Sequence, residues 1–482
     1  MNDTTTGRRP RVALATVLFF LVLPGAGSRV PASALRAELP QAGQATTIDW
    51  NRTRARDIDR ILPLREQARV YNETLEWRLD HVLPAIMRRE GVDMWLVVTF
   101  EYDEDPVYMT LVPQPIMNAR RLAILLFHDR KDGFKKITAN WHGSDTAGKM
   151  YTNIFTDRSK GANEQFAVVA AYIRQHDPKK IAIDYAPHFD YHDDFSHGNG
   201  LTAFHKAKLE AALDRKYVER LVPGEPICMG WFETRSPREL SLYPELGGIT
   251  HDLIAEFFSN KVIVPGKTTT DDVEWWIRQR ISDRGLATWF HPSIDIYRSP
   301  KDQAAYGKDD RVIRRGDVLH CDVGIRYLGL CTDMQHLAYV LREGETDAPA
   351  GLRELLRKGN RLQEIHFAEM KEGRTGNAIL KAILARGRAE GLRPTVYTHP
   401  IGPYGHGSGT MIGMPEKQEF VPGSGEHPLH SDTMYSFEFS VAGPIAEWDG
   451  AVVTFGLEDD VAFTASGPRW VDGYPRGFYL IK

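Results

Sequence analysis

The chain has 482 residues, with 60 Lys and Arg against 64 Asp and Glu, a net charge of −4. Apolar residues at 42% and charged residues at 26% make a core-forming composition, which excludes disorder for the bulk of the chain. No basic excess exists to hold a phosphate backbone, so general nucleic-acid binding is excluded too. Length predicts about two or three domains. Three cysteines, Cys228, Cys321 and Cys331, are too few for a disulfide framework or a thiolate cage, so any metal must be held by oxygen and imidazole.

In chain order, the first predicted element is a targeting segment. Arg8, Arg9 and Arg11 precede an apolar run from Val12 to Leu23 broken only by Thr16, and small residues follow at Gly25-Ala26-Gly27 and Ala32-Ser33-Ala34. This is the plan of a secretory signal peptide over 1–34, cleaved after Gly27 or Ala34. As a helix the run rises ~18 Å, short of the ~30 Å hydrocarbon core, so no stable anchor is expected after cleavage. The mature protein is expected to be exported, periplasmic or secreted.

An α/β N-terminal domain is expected over 35–230. Val70–Arg89 reads as an amphipathic helix stopped by Gly91, and Met94–Val98, Leu122–Phe127 and Ile181–Tyr185 read as strands. Helices are expected near Glu164–His176 and Leu201–Leu213. Val222-Pro223-Gly224-Glu225-Pro226 breaks the pattern, and the second domain is expected over 231–482. It holds a weak repeat. Gly266-Lys267-Thr268 opens a helical stretch ending at Gly285-Leu286, and Gly373-Arg374-Thr375 opens another ending at Gly391-Leu392. The near-constant offset predicts a duplicated α+β unit with a site between the copies.

Five residues of that half could carry chemistry. Asp322 and Asp333 flank a strand, a Gly-containing turn and a strand, so a hairpin can point both carboxylates to one face. His406 lies in Tyr404-Gly405-His406-Gly407-Ser408-Gly409, where glycines strip away bulk. Glu438 stands between Phe437 and Phe439 in a strand-like run, where an unpaired carboxylate costs several kcal/mol unless a cation or proton compensates. Glu458 lies in another strand-like segment. Each alone also fits an ordinary turn or edge residue. Together, four carboxylates cannot all ionise without cations. One imidazole with four carboxylates suits manganese, cobalt, zinc or iron, and a pair of such ions serves hydrolysis. Cys321 and Cys331 are expected to lean to opposite sides and to stay free.

The order Asp-x10-Asp, Gly-His-Gly-x-Gly loop, strand Glu and Glu-Asp-Asp strand resembles the pita-bread metallopeptidases, above all the Xaa-Pro aminopeptidases and prolidases of the creatinase-type fold. The resemblance implies an α+β pita-bread catalytic domain with pseudo-twofold duplication, preceded by a smaller α/β domain. It implies two divalent metals, manganese first. Asp322 would bind one, Asp333 and Glu458 would bridge, and His406 and Glu438 would complete the second, with Glu438 as general base. It further implies a short peptide or small-molecule amide as substrate and a homodimer. The substrate-binding side differs from the family. Ala304-Ala305-Tyr306 stands where a substrate His is expected, Gly413 where a second is expected, and Gly456 where an Arg is usual. His291 and His399 are the candidates to replace them as catalytic residues, and Tyr404 is a candidate oxyanion donor. Two other readings remain: a hydrolase or lyase of a non-peptide small molecule, and a non-catalytic binding module.

Overall fold

The structure is a computed structural model and describes residues 56–140, 147–157, 159–161, 164–185, 198–472 and 476–482. The expected signal segment lies outside the described residues. Among the described residues no helix is long and apolar enough to cross a membrane.

The first long helix, α1 (Leu64–Arg89), begins six residues before the expected Val70. Its first turn is solvated and so lacks the apolar spacing that reveals the rest; Leu64 itself is exposed. Gly91 ends it at φ +61°, a conformation that L side chains rarely adopt. Then come β1 (Met94–Phe100), α2 (Tyr108–Leu111), β2 (Leu122–Arg130), β3 (Gly133–Thr138), α3 (Ala147–Met150), β4 (Thr152–Asn153), α4 (Gln165–His176), β5 (Ile181–Ile183), α5 (Ala203–Ala212), α6 (Arg215–Val218) and β6 (Leu221–Pro223). The strands form one sheet in the order β4-β3-β2-β1-β5-β6. It is mixed, since β1 runs antiparallel to β2 and parallel to β5. Central β1 is buried on both faces, as the side-chain period of two requires. Trp95 and Val97 pack with α1, while Met94, Leu96 and Val98 pack with α4 and α5.

Two helices lead out of this sheet, α7 (Glu225–Glu233) and α8 (Pro237–Phe257). The expected boundary at 230/231 falls inside α7, because Ile227, Cys228, Trp231 and Phe232 complete the core beneath α1. A Ser236–Glu239 capping box starts α8. Glu239 also accepts from Arg78 Nη1 at 2.7 Å and Arg235 Nη1 at 2.9 Å, all three being buried. Burial alone would raise the Glu239 carboxyl, but the two guanidiniums outweigh it and hold it below its usual range.

The remaining elements are α9 (Thr270–Asp283), β7 (Ser293–Tyr297), α10 (Pro300–Tyr306), β8 (Val318–Val323), β9 (Arg326–Tyr327), β10 (Leu330–Cys331), β11 (Met334–Val340), α11 (Ala350–Glu369), α12 (Gly376–Ala389), β12 (Pro394–Pro400), β13 (Thr433–Ile445), β14 (Ala451–Leu457), β15 (Asp460–Thr464), β16 (Gly467–Trp470) and β17 (Tyr479–Ile481). The repeat is real at the level of elements. Helices α9 and α12 are each 14 residues long, 106 residues apart, and capped by Thr269 and Thr375. Each copy joins a helix pair to a sheet, β17-β11-β8-β7 in one, antiparallel except for the parallel β11–β17 pair, and the antiparallel β12-β13-β15-β16, with β14 on β13, in the other. The backbones of Gln335 and Glu458 pair across the two sheets, so the sheets meet there.

Candidate metal centre

The meeting line of the two sheets gathers the acidic residues. Asp322 on β8 lies opposite Gln335 on β11, and Asp333 sits one residue before β11. The turn expected between the two aspartates is itself a small hairpin, β9 with β10. On the second sheet, His399 of β12 lies opposite Ser436 of β13, and Glu438 follows two residues on, on the same face. Phe437 and Phe439 point the other way, into the core with α11 and α12. Alternation thus puts one acidic side chain at the centre and its apolar neighbours behind it.

Ligand atoms of Asp322, Asp333 and Glu458 lie within 4.8 Å of one another, as do those of His399, Glu438 and Glu458. Burial, with repulsion from Glu458, pushes the Asp322 carboxyl up to about 7. Burial also lifts Glu458 to about 7, against the opposing pull of Ser436, whose hydroxyl donates to Glu458 Oε1 at 2.6 Å. Asp333 and Glu438 rise well above the carboxylate range for the same two reasons, burial first and neighbouring carboxylates second.

His399 stands at the heart of this group. Its Nδ1 is 3.1 Å from the Pro400 carbonyl, which assigns the proton to that nitrogen and leaves a lone pair on Nε2. Burial pushes the ring down to about 4, so it is neutral at ordinary pH. Nε2 lies 3.5 Å from Glu458 Oε1 and 3.7 Å from Asp333 Oδ2, too far for hydrogen bonds. Buried Nε2 of His399, Oδ1 of Asp322, Oδ1 of Asp333 and Oε2 of Glu458 all lack a hydrogen-bond partner. Lone pairs that converge without donors fit cations.

The two histidines differ from expectation in their places. His399, expected on the substrate side, is innermost, whereas His406, expected as a ligand, stands exposed at the rim. A ring nitrogen of His406 still lies within 4.8 Å of ligand atoms of His399 and Asp333. The flanking glycines act as the sequence suggests: a Cβ at Gly405 would meet the Trp289 ring at 2.1 Å. His291 is not in any of these groups. It is 42% exposed on the surface, with Nδ1 3.1 Å from Arg278 Nη1, because Pro292 and β7 lead the chain away from its position. The Tyr404 hydroxyl donates to the Pro106 carbonyl at 2.7 Å, on the N-terminal side, so it is not aimed at the centre. Gly413 has φ +76°, and a Cβ there would stand 2.2 Å from the Val396 carbonyl oxygen, so no histidine fits. All three cysteines are free and buried.

Two residues of the centre went unnoticed in the sequence. Gln335 Nε2 donates to Glu438 Oε1 at 3.1 Å, and Gln335 Oε1 lies 3.0 Å from His320 Nε2. They occupy the space in front of Gly456, where a Cβ would come within 2.9 Å of both. Their spacing was the available signal: His320 is two residues before Asp322 and Gln335 two after Asp333, which shares the ligand face by strand alternation.

A comparison with curated proteins gives no match. Residues 242–465 match the family model for metallopeptidase family M24. Residues 242–465 thus resemble an M24 metallopeptidase domain. Among solved structures, the chain resembles X-Pro aminopeptidase from Thermotoga maritima MSB8, with TM-score 0.59 and 15% identity over 82% of this chain and 99% of that one. It also resembles Xaa-Pro dipeptidase from Bacillus anthracis, with TM-score 0.56 and 15% identity over 84% and 100%. The N-terminal domain of FACT complex subunit SPT16 from chickpea has TM-score 0.51 at 11% identity over 85% and 99%. Identities this low carry the pita-bread fold and no more. Because a chromatin-complex subunit shares it, the M24 fold alone does not decide the activity. M24 domains bind divalent metals, and the donor set described above fits them.

Proposed function

We propose that this chain is a metal-dependent peptidase that hydrolyses short peptides of the Xaa-Pro type with two divalent cations, manganese first. The observation that carries the reading is the neutral, buried His399, whose unpartnered Nε2 faces carboxylates. Asp322, Asp333, His399, Glu438 and Glu458 would hold the ions, with His406 at the rim. Bound there, divalent ions supply a water acidified to near-neutral pKa and polarise the scissile carbonyl.

The chain's own residues do the rest. Gln335 fixes Oε1 of Glu438, leaving Oε2 to accept the proton of the attacking water and pass it to the leaving nitrogen. Ser436 holds Glu458 in place. Trp289, anchored by its Nε1–H to the Thr332 carbonyl at 3.0 Å, packs beside His406 and gives the rim an apolar wall suited to a prolyl ring. A second reading, a hydrolase or lyase of a non-peptide small molecule, is favoured by the substrate side: Gly413 cannot carry the expected histidine, and Tyr306 is half-exposed beneath Arg314.

Turnover of Xaa-Pro dipeptides, longer Xaa-Pro peptides and non-peptide amides, each with added manganese, separates the two. Hydrolysis confined to non-peptide amides would replace the first reading by the second, and metal-dependent turnover of none would leave a binding module. The reading includes export of the mature protein, supported by the sequence of residues 1–34; N-terminal sequencing of secreted or periplasmic protein checks it.

A further inference from the structure

Outside the carboxylate centre, one cluster combines a buried acid with two imidazoles. Glu233 ends α7, and its side chain is 1% exposed. One oxygen, Oε2, lies 3.0 Å from His427 Nε2. The other, Oε1, is buried with no hydrogen-bond partner; the nearest cation is Arg89 Nη1 at 3.8 Å. Arg89 is 40% exposed and engaged with Glu90 Oε1 at 2.7 Å, so it neutralises Glu233 only in part. A buried carboxylate oxygen without a donor is costly, and such an atom needs an explanation.

His430 supplies the third side. Its ring lies 5.3 Å from that of His427 at 72°. One ligand atom from each of Glu233, His427 and His430 lies within 4.8 Å of the others. Ligands ~2.0–2.2 Å from a zinc ion stand at most ~4.4 Å apart, so the cluster closes on an ion with small side-chain rotations. His427 is 16% exposed, which leaves an entry path and a position for water.

We infer that Glu233, His427 and His430 form a second, mononuclear metal site that takes one borderline divalent ion such as Zn²⁺, with a solvent-facing fourth position. Two imidazoles and one carboxylate suit zinc or cobalt, whereas the carboxylate-rich centre suits harder ions. The site joins three pieces of chain. Glu233 belongs to the helix packed beneath α1. His427 and His430 precede β13, which carries Glu438. The backbone of Gly409, in the loop of His406, lies against the carboxylate, since a Cβ there would stand 3.1 Å from Glu233 Oε2. Ion binding therefore clamps that loop and the start of β13 to α7.

The test uses the full chain, stripped of metal and titrated with Zn²⁺ or Co²⁺ alone, with bound metal measured directly. In a D333N/E458Q background, which disables the carboxylate centre, one ion per chain should remain bound and should raise the thermal midpoint. Adding H427A/H430A should abolish both effects. Glu233→Gln, nearly isosteric and able to keep a hydrogen bond to His427, should weaken that ion at least ~10–100-fold while leaving the circular dichroism of the apo chain unchanged. With Co²⁺, the visible absorption of the retained ion should have the intensity of a low-coordinate nitrogen–oxygen site. Equal ion content with and without His427 and His430, or undiminished affinity in Glu233→Gln, would overturn the assignment.

Discussion

Glu438 illustrates what strand alternation does to a single side chain. Phe437 and Phe439 face the core, so the carboxylate between them faces three other acids, and Gln335 pins one of its oxygens. Glu438→Gln preserves size and one ligand oxygen but removes the base. Turnover should fall ~10²–10⁴-fold, with metal content close to that of the parent and above that of Asp333→Asn; steady-state kinetics with metal analysis checks this, and near-parental turnover would end the assigned role. The histidines give a second prediction. His399→Ala removes a buried neutral donor and should weaken metal binding more than His406→Ala, which removes a rim group; titration of both variants with manganese decides. Sequence alone could not rank them. Glycines advertised His406, whereas the placement of His399 depends on its register opposite Ser436, a non-local fact.

At the scale of elements, much was legible because local signals were strong. Gly91, Gly285 and Gly391 take positive φ where the apolar periodicity stops, so the helix ends could be read. The paired strands β8, which holds Asp322, and β11, which follows Asp333, could be read from alternation, but the β9–β10 excursion between them could not, since two-residue strands have no periodicity. The mixed direction of the N-terminal sheet was hidden for another reason: alternating strands and helices suggest parallel order, while β2 and β3 pair through a short turn at Gly133. Gly413 yields a prediction at this scale. Its backbone is left-handed, and a Cβ would meet a main-chain oxygen that cannot rotate away. Gly413→Ala and Gly413→His should each destabilise the chain by at least ~1–3 kcal/mol in chemical denaturation, the strain of a non-glycine residue in that region. A stable Gly413→His with improved kcat/KM would show instead that the position accepts a substrate histidine.

Over the whole molecule, the net charge of −4 says nothing of where the acids are, yet their concentration at the junction of two sheets governs stability. In the metal-free chain, Asp322 and Glu458 titrate at about 7, and Asp333 and Glu438 are raised as well. Unfolded, they titrate near ~4. Between these values the folded chain binds more protons than the unfolded one, so stability falls as pH rises from ~4 through about 7, and falls further as Asp333 and Glu438 ionise. Bound divalent ions reverse the preference, because they favour ionised carboxylates and displace those protons. The stabilisation by metal should therefore grow with pH across the same window. Other groups shift stability too. His251, desolvated but held up to about 9 by Asp459 and Asp472, contributes stability that is lost as pH rises through about 9. That contribution is common to the loaded and stripped chains and cancels in their difference. Thermal midpoints of manganese-loaded and chelator-stripped protein, measured from pH 5 to 8, should diverge steadily up to about pH 7. In D333N/E458Q the manganese-dependent gap should be small at every pH. A gap that stays constant with pH in the parent chain would mean that these carboxylates do not share one ion site.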